Sequence, residues 1–146
     1  MATVQEQVLQ SMKTALEGVS GVQVVVRGER NPATIREFPA IALQSDRTRI
    51  DLPGEATTNA IGFVMDVSCM AYMAQRDDVF DTMNSLLGDM HLALIADESR
   101  GGIAVWTHPT SMRTFIDEGN HEEAPMGVLE VEVHWRTTLT DLETPV

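Results

Sequence analysis

The sequence predicts an α+β domain in which a mainly antiparallel sheet packs one apolar face against two helices. Two segments repeat apolar residues at helical spacing, and five others are β-branched or alternate apolar with polar residues. These segments follow the order helix, three strands, helix, two strands. A chain of 146 residues has the length of one domain with one core, so residues 1–146 are predicted to form a single domain.

The two helices are predicted from apolar residues spaced three and four apart. The first helix covers about residues 3–18 and stops at Gly18. The second begins after Asp77 or Asp78, which are N-cap residue types, and stops before residues 100–102. Its apolar stripe is broad enough to predict burial against a sheet, and it comprises Val79, Phe80, Met83, Leu86, Leu87, Met90, Leu94 and Ile95.

Three strands are predicted between the helices. Residues 22–27 are β-branched, and residues 39–44 form a shorter apolar run. Residues 46–56 contain the turn signal Leu-Pro-Gly-Glu and are predicted to form a long loop. From residue 57 to residue 73 apolar and polar positions alternate, which predicts a long strand with one buried side.

Two further strands are predicted after the second helix. Residues 103–116 contain Pro109, which cannot donate to a ladder and therefore indicates an edge strand or a bulge. Residues 127–139 alternate again. The polar side of the predicted sheet is either solvated, or it meets another copy or lines a cavity. Its members are Asp66, Ser68, Glu130, Glu132, His134 and Arg136.

Charge limits the choice of partner. The formal net charge is -12, from 22 acidic and 10 basic residues, and such a surface repels phosphate backbones, so direct nucleic-acid binding is disfavoured. Several arginines nevertheless cluster in the first third of the chain. They are either the positive side of a contact between copies or ordinary solvated loop residues. The cluster comprises Arg27, Arg30, Arg36, Arg47 and Arg49.

No motif predicts catalysis. The sequence lacks GxxxxGK[ST], GxGxxG, GxSxG and HExxH, and its four histidines have no metal-ligand spacing. The single cysteine, Cys69, falls on the apolar side of its predicted strand, where a thiol is an inert small hydrophobe. Trp106 and Trp135 are predicted to pack within the protein. We therefore predict no catalytic, cofactor-binding or metal-binding residues, no cofactor, and no enzymatic activity.

The stretch FIDEGNHEEAP, residues 115–125, gathers acidic residues around His121. Carboxylates beside an imidazole suit a metal or acid–base site, whereas Gly119-Asn120 and the flanking strands suit a solvated hairpin loop. The turn chemistry favours the loop. Its acidic residues are Asp117, Glu118, Glu122 and Glu123.

The order of elements resembles one known family. The strand "FPAIAL" after an arginine-containing loop, the long alternating strand, the helix "DTMNSLLGDMHLALIAD" and the following "GGIAVWTHPTSMRTFIDEGNHEEAPMGVLEVEVHWRT" are similar to tail terminator proteins of long-tailed bacteriophages, the group that includes the minor tail protein U of lambda-like phages. The resemblance covers most of the chain and is a pattern of elements rather than an invariant motif.

The resemblance implies a structural subunit of the virion, assembled in the host cytoplasm. Such a subunit is expected to form a homo-oligomeric ring, usually a hexamer, on the last ring of the tail tube protein. The ring ends tube growth and offers a joining surface to the head-completion or connector protein. Genomic DNA would pass through its lumen without specific binding, and no membrane would be involved.

Regions, rather than a catalytic set, carry the expected roles. The lumen or subunit interface is assigned to Asp66, Glu130, Glu132 and His134, and the positive side of the contact to Arg27, Arg47 and Arg49. The acidic stretch with Asp117, Glu118, Glu122 and Glu123 is expected to contact neighbouring subunits, the tube or the connector. Two alternatives remain open. The chain could be another head–tail connector or neck subunit, or a small α+β ligand-binding module with a pocket on the polar side of its sheet.

Overall fold

The computed structural model describes residues 2–28, 37–51, 60–74, 78–117, 124–138 and 142–146. Within these ranges, two helices and five strands occur in the predicted order, which confirms the α+β class. The elements are α1 (Val4–Glu17), β1 (Val24–Arg27), β2 (Ala40–Asp51), β3 (Ala60–Tyr72), α2 (Val79–Ile95), β4 (Trp106–Asp117) and β5 (Ala124–Thr138).

The five strands form one mixed, mostly antiparallel sheet in the order β1-β2-β3-β5-β4. β1 pairs with β2 in parallel, and the other three pairings are antiparallel. β3 is the central strand, because it is paired along its whole length with β5 and over most of that length with β2. Asp66 at its middle lies opposite Arg47 on one side and Glu132 on the other.

Helix α1 begins and ends as its sequence predicts. The hydroxyl of Thr3 accepts a hydrogen bond of 3.3 Å from the backbone N–H of Glu6, which is an N-cap interaction, and Gly18 forms the C-cap. Its apolar residues lie three or four apart and are buried. They are Val4, Val8, Leu9, Met12 and Leu16.

Helix α2 ends at Ile95, several residues before the predicted stop. The side chain of Arg100 folds back and donates hydrogen bonds to the backbone carbonyls of Leu94 and Asp97, which satisfies acceptors that a helix end leaves unpaired. Burial lowers the pKa of Arg100, and the nearby charge of Asp97 opposes that shift. The prediction that Phe80 belongs to the buried stripe is wrong, because this side chain is 45% exposed.

One hydrophobic core contains buried side chains from both helices and from the sheet. The β3 contribution is Met65, Val67, Cys69 and Ala71, which alternate along the strand as predicted. β5 contributes Leu129, Val131, Val133 and Trp135 with the same alternation. That both helices lie against a single face of the sheet stays a prediction.

The predicted boundary of β2 is wrong. The strand continues from Gln44 through Asp51, where the sequence predicted a loop, so Arg47 and Arg49 are strand residues. A register shift between Ser45 and Arg47 inserts an irregularity that breaks the period-two pattern. The later part of the predicted loop, residues 52–56, and the start of the next predicted strand, residues 57–59, lie outside the described residues.

The prediction for Pro109 is confirmed. β4 is an edge strand, and its register with β5 shifts between Pro109 and Ser111. A feature that the sequence did not indicate is the return of the C-terminus. The backbone N–H of Val4 donates to Leu142 O at 2.8 Å, and that of Val146 donates to Arg136 O at 2.9 Å.

Neither helix in the described ranges has both the length and the apolar character needed to cross a bilayer.

We predict opposite effects for two glycine substitutions. A Cβ at Gly127 would lie 2.8 Å from Met83 Sδ and 3.0 Å from Leu87 Cδ1, so Gly127→Val should lower the free energy of unfolding by about 1–3 kcal/mol through overpacking. A Cβ at Gly88 in α2 meets nothing within 4 Å, so Gly88→Ala should raise it by about 0.5–1 kcal/mol. Chemical denaturation measures both. Equal stability of Gly127→Val and the parent chain would contradict the close packing of α2 on β5.

Candidate functional site

The predicted polar side chains gather on one face of the sheet, because alternate residues of neighbouring strands share a side. We define the polar face by twelve residues on β2, β3, β4 and β5. They are Asp46, Arg47, Arg49, Asp66, Ser68, Trp106, His108, Ser111, Glu130, Glu132, His134 and Arg136. Six of the residues assigned from sequence to a lumen or a subunit contact therefore lie together.

An ion network crosses three strands at the middle of the polar face. Asp66 pairs with two guanidinium groups. Arg47 Nε lies 3.4 Å from Asp66 Oδ2, and Arg49 NH2 lies 3.4 Å from Asp66 Oδ1. Arg49 also contacts Glu132 Oε1 at 3.3 Å. The positive and negative groups that the sequence suggested for opposite sides of an intermolecular contact thus meet within one chain.

His134 extends this network to the edge of the sheet. Its Nε2 lies 3.6 Å from Glu132 Oε2, which is the carboxylate oxygen that Arg49 does not contact. The imidazole stacks on Trp106 with ring centroids 3.8 Å apart, and Trp106 meets the ring of His108 edge to face at 5.2 Å. Trp106 therefore packs as predicted, but on the polar face rather than in the core.

A shallow cavity of about 400 Å³ opens on the polar face. The acidic side chains around it have hydroxyl donors: Ser111 donates to Glu130 Oε2 at 3.0 Å, and Ser68 donates to Asp46. The cavity is lined mainly by charged groups, which favours a charged or strongly polar partner. Its polar lining comprises Asp46, Arg47, Asp66, Thr110, Glu130 and Glu132.

Arg27 lies apart from the other two candidate arginines. It is the last residue of β1, and its guanidinium binds the Glu6 carboxylate of α1 through contacts of 2.7 and 3.2 Å. The hydrogen bond from Arg27 lowers the pKa of Glu6. The structure does not place Arg27 with Arg47 and Arg49 on the polar face.

The acidic stretch that follows β4 is described only in part. Asp117 is the last residue of that strand, and Glu118, Glu122 and Glu123 lie outside the described residues. Their role as contacts stays a prediction. Within the described ranges no three His, Cys, Asp or Glu side chains are grouped so that they could hold a metal ion.

A larger cavity of about 740 Å³, the helix cavity, lies between α1 and the end of α2 and was not predicted from the sequence. Small residues, Ala15 and Ala93, leave the space open, and Arg100 lines its side. The polar residues Gln7, Gln10, Ser11 and Thr14 line it from α1. Their helical spacing was the signal in the sequence, since it marks a second stripe beside the apolar one.

No protein-family model matches the chain, and no curated protein matches it. The polar face and the helix cavity are therefore the features of this chain from which a function can be inferred.

The Arg27–Glu6 pair makes the free energy of unfolding depend on pH in the acidic range. The folded chain lowers the pKa of Glu6 below its ordinary value of 4.5, so the stabilisation is present above that pH and is lost as the pH falls through the folded-state value. Glu6→Gln should reduce the acid-induced loss of stability below about pH 4.5. Denaturation curves between pH 3 and 7 measure this, with Glu17→Gln as the control on the same helix. If stability falls with decreasing pH as steeply in Glu6→Gln as in the parent chain, the pairing is contradicted.

Cys69 should be unreactive in the folded chain. Burial, with a smaller contribution from the charge of Asp46, raises its pKa to about 12 from 9.0, so at pH 8 it holds about a thousandfold less thiolate than an ordinary thiol. A chromogenic disulfide reagent should label the native chain far more slowly than the chain in denaturant. Equal labelling rates would show that the thiol is accessible and overturn its assignment to the core.

Proposed function

We propose that this chain is a structural subunit of a long-tailed bacteriophage, a tail terminator that forms a ring on the end of the tail tube. The ring would stop tube growth and present the surface that the head-completion or connector protein joins. The proposal rests on the resemblance in element order and on the polar face. The polar face is the single observation that carries it.

The polar face has the features of a protein contact rather than of a reaction centre. Long strands hold its charged groups in fixed positions, and both signs of charge alternate across three strands. Arg47 remains 67% exposed and Arg49 43% exposed, so both are accessible to a neighbouring subunit. Arrangements of this kind favour selection of a partner and its orientation more than they add affinity.

The charge of the chain as a whole suits the passage of DNA. With 22 acidic and 10 basic residues, a ring wall built from this subunit would repel phosphate groups and let a duplex slide. The proposed location is the head-proximal end of the tail in the virion, and assembly would take place in the host cytoplasm. We propose no enzymatic activity and no cofactor.

The helix cavity favours one alternative, a small ligand-binding module. Its size of about 740 Å³ falls within the range of small-molecule sites, and its lining combines apolar surface with amide and hydroxyl groups. A ligand bound only by the folded chain would raise the melting temperature. Thermal shifts that appear with a metabolite and disappear in Ala93→Leu, which fills the cavity, would favour this alternative over the ring.

The terminator proposal predicts an effect on tube length. Tail tube protein of the same phage should polymerise to unrestricted lengths alone and to arrested, ring-capped tubes when this chain is added, as seen by negative-stain microscopy. Arg47→Glu combined with Arg49→Glu should weaken ring formation, whereas the melting temperature should change little because exposed ion pairs contribute about 0–1 kcal/mol.

Lys13→Glu is the matched control, since Lys13 pairs with Glu17 on α1 and lies off the polar face. The proposal would be contradicted if tubes kept their length and stayed uncapped in the presence of the parent chain. Rings that survive the double reversal would exclude the two arginines from the contact while leaving the terminator function in place.

A further inference from the structure

The polar face is locally close to neutral, although the chain is strongly acidic. It carries four carboxylates and three arginines, against 22 acidic and 10 basic residues in the whole sequence. Two copies of an acidic protein repel each other least where their surfaces carry balanced charge. The polar face is therefore a surface on which a second copy can approach.

Arg47 can change partners without leaving an unpaired group behind. Asp66 is already held by Arg49 through its other oxygen, so loss of Arg47 would not leave this carboxylate unpaired. Arg47 also follows the register shift in β2, and shifts of this kind redirect side chains away from the regular ladder. If its guanidinium turns outward, the contact with Asp66 is lost, but Arg49 still links Asp66 to Glu132.

Two carboxylates in the same cavity lack such pairing. Glu130 accepts a hydrogen bond from the Ser111 hydroxyl, and Asp46 accepts one from Ser68, so neither carboxylate depends on Arg47 or Arg49 as Asp66 and Glu132 do. A carboxylate bound only to neutral donors retains the capacity to accept charge-assisted hydrogen bonds. A guanidinium is the cation whose planar donors match this arrangement.

We propose that the polar faces of two copies pack against each other about a two-fold axis, with Arg47 of each copy entering the 400 Å³ cavity of the other and binding Glu130. The symmetry follows from the position of the groups, because the donor and the acceptor line the same cavity, and a surface that complements itself forms an isologous pair. Asp46 stands beside Glu130 as a second acceptor.

This pair goes beyond the proposed ring and does not depend on it. A closed ring of six subunits needs two different surfaces in a head-to-tail contact, whereas the two-fold pair uses one surface twice. The pair and the ring would compete for Arg47. The unassembled chain is thus expected to populate a dimer whose polar faces are covered.

A charge exchange tests the contact. Sedimentation equilibrium of the full chain over a concentration series should give a monomer–dimer equilibrium. Arg47→Glu alone and Glu130→Arg alone should each weaken dimerisation by about tenfold or more, because each places like charges together, and the double variant should restore it to within about threefold. Lys13→Glu, which changes the net charge as Arg47→Glu does, should leave dimerisation unaltered.

Any other result contradicts the proposed two-fold dimer. A monomer at every concentration removes it, as does a dimer that none of the three variants affects. Weakening by both single changes without recovery in the double variant refutes the Arg47–Glu130 contact. A ring-sized species without a dimer refutes the two-fold pair and supports the terminator proposal, while arrested tube growth remains the separate measure of that function. Circular dichroism of each variant establishes that it is folded.

Discussion

The alternation of side chains along β3 is the constraint on which both the core and the polar face depend. Met65, Val67 and Cys69 are at most 1% exposed, while Asp66 and Ser68 between them lie on the other side of the sheet. Because strand side chains alternate with a period of two, a slip of one residue would place Asp66 in the core and Met65 in water. Burial of an unpaired carboxylate is so unfavourable that this slip is effectively excluded.

The ion network adds little to the total stability but helps to define the register. Each of its pairs is partly exposed, and such pairs contribute about 0.2–1 kcal/mol. Asp66 nevertheless binds β2 through both arginines, and Arg49 continues across β3 to Glu132 on β5. A shift of either neighbouring strand would bring like charges together or separate these groups, so the same contacts that could recognise a partner also align three strands.

Apolar periodicity was sufficient to predict most of the fold, and it failed where polar contacts hold the chain. The order of elements, the buried side of β3 and β5 and the edge position of Pro109 followed from hydrophobic pattern and proline chemistry. The second half of β2 was predicted as a loop because of the turn signal Leu-Pro-Gly-Glu, and because residues 45–49 are all polar and show no apolar alternation. What extends this strand is pairing with β3, which a pattern within one segment does not show.

The candidate site was predictable to a similar extent. Strand alternation placed Asp66, Glu130, Glu132 and His134 on one side, and that is where they lie. The pairing of Arg47 and Arg49 with them was not foreseen, because assignment to a loop left both side chains without a defined direction. Arg100 was also missed, since a cap formed by a side chain that folds back on its own helix end has no periodic signal.

The balance of charge on the polar face distinguishes two roles that the sequence assigned to the same residues, lining a lumen and contacting a neighbouring subunit. A lumen wall that lets DNA slide needs carboxylates that are not neutralised, whereas on the polar face Asp66 and Glu132 are both paired with arginine. This pairing favours contact with a protein subunit over exposure to DNA for that part of the surface. Acids that repel DNA would have to come from elsewhere, and the sequence from Asp117 to Glu123, which contains four acids and no basic residue other than His121, has the composition for it. The acidic stretch that first suggested chemistry is then better suited to an electrostatic role, and the sheet to a specific contact.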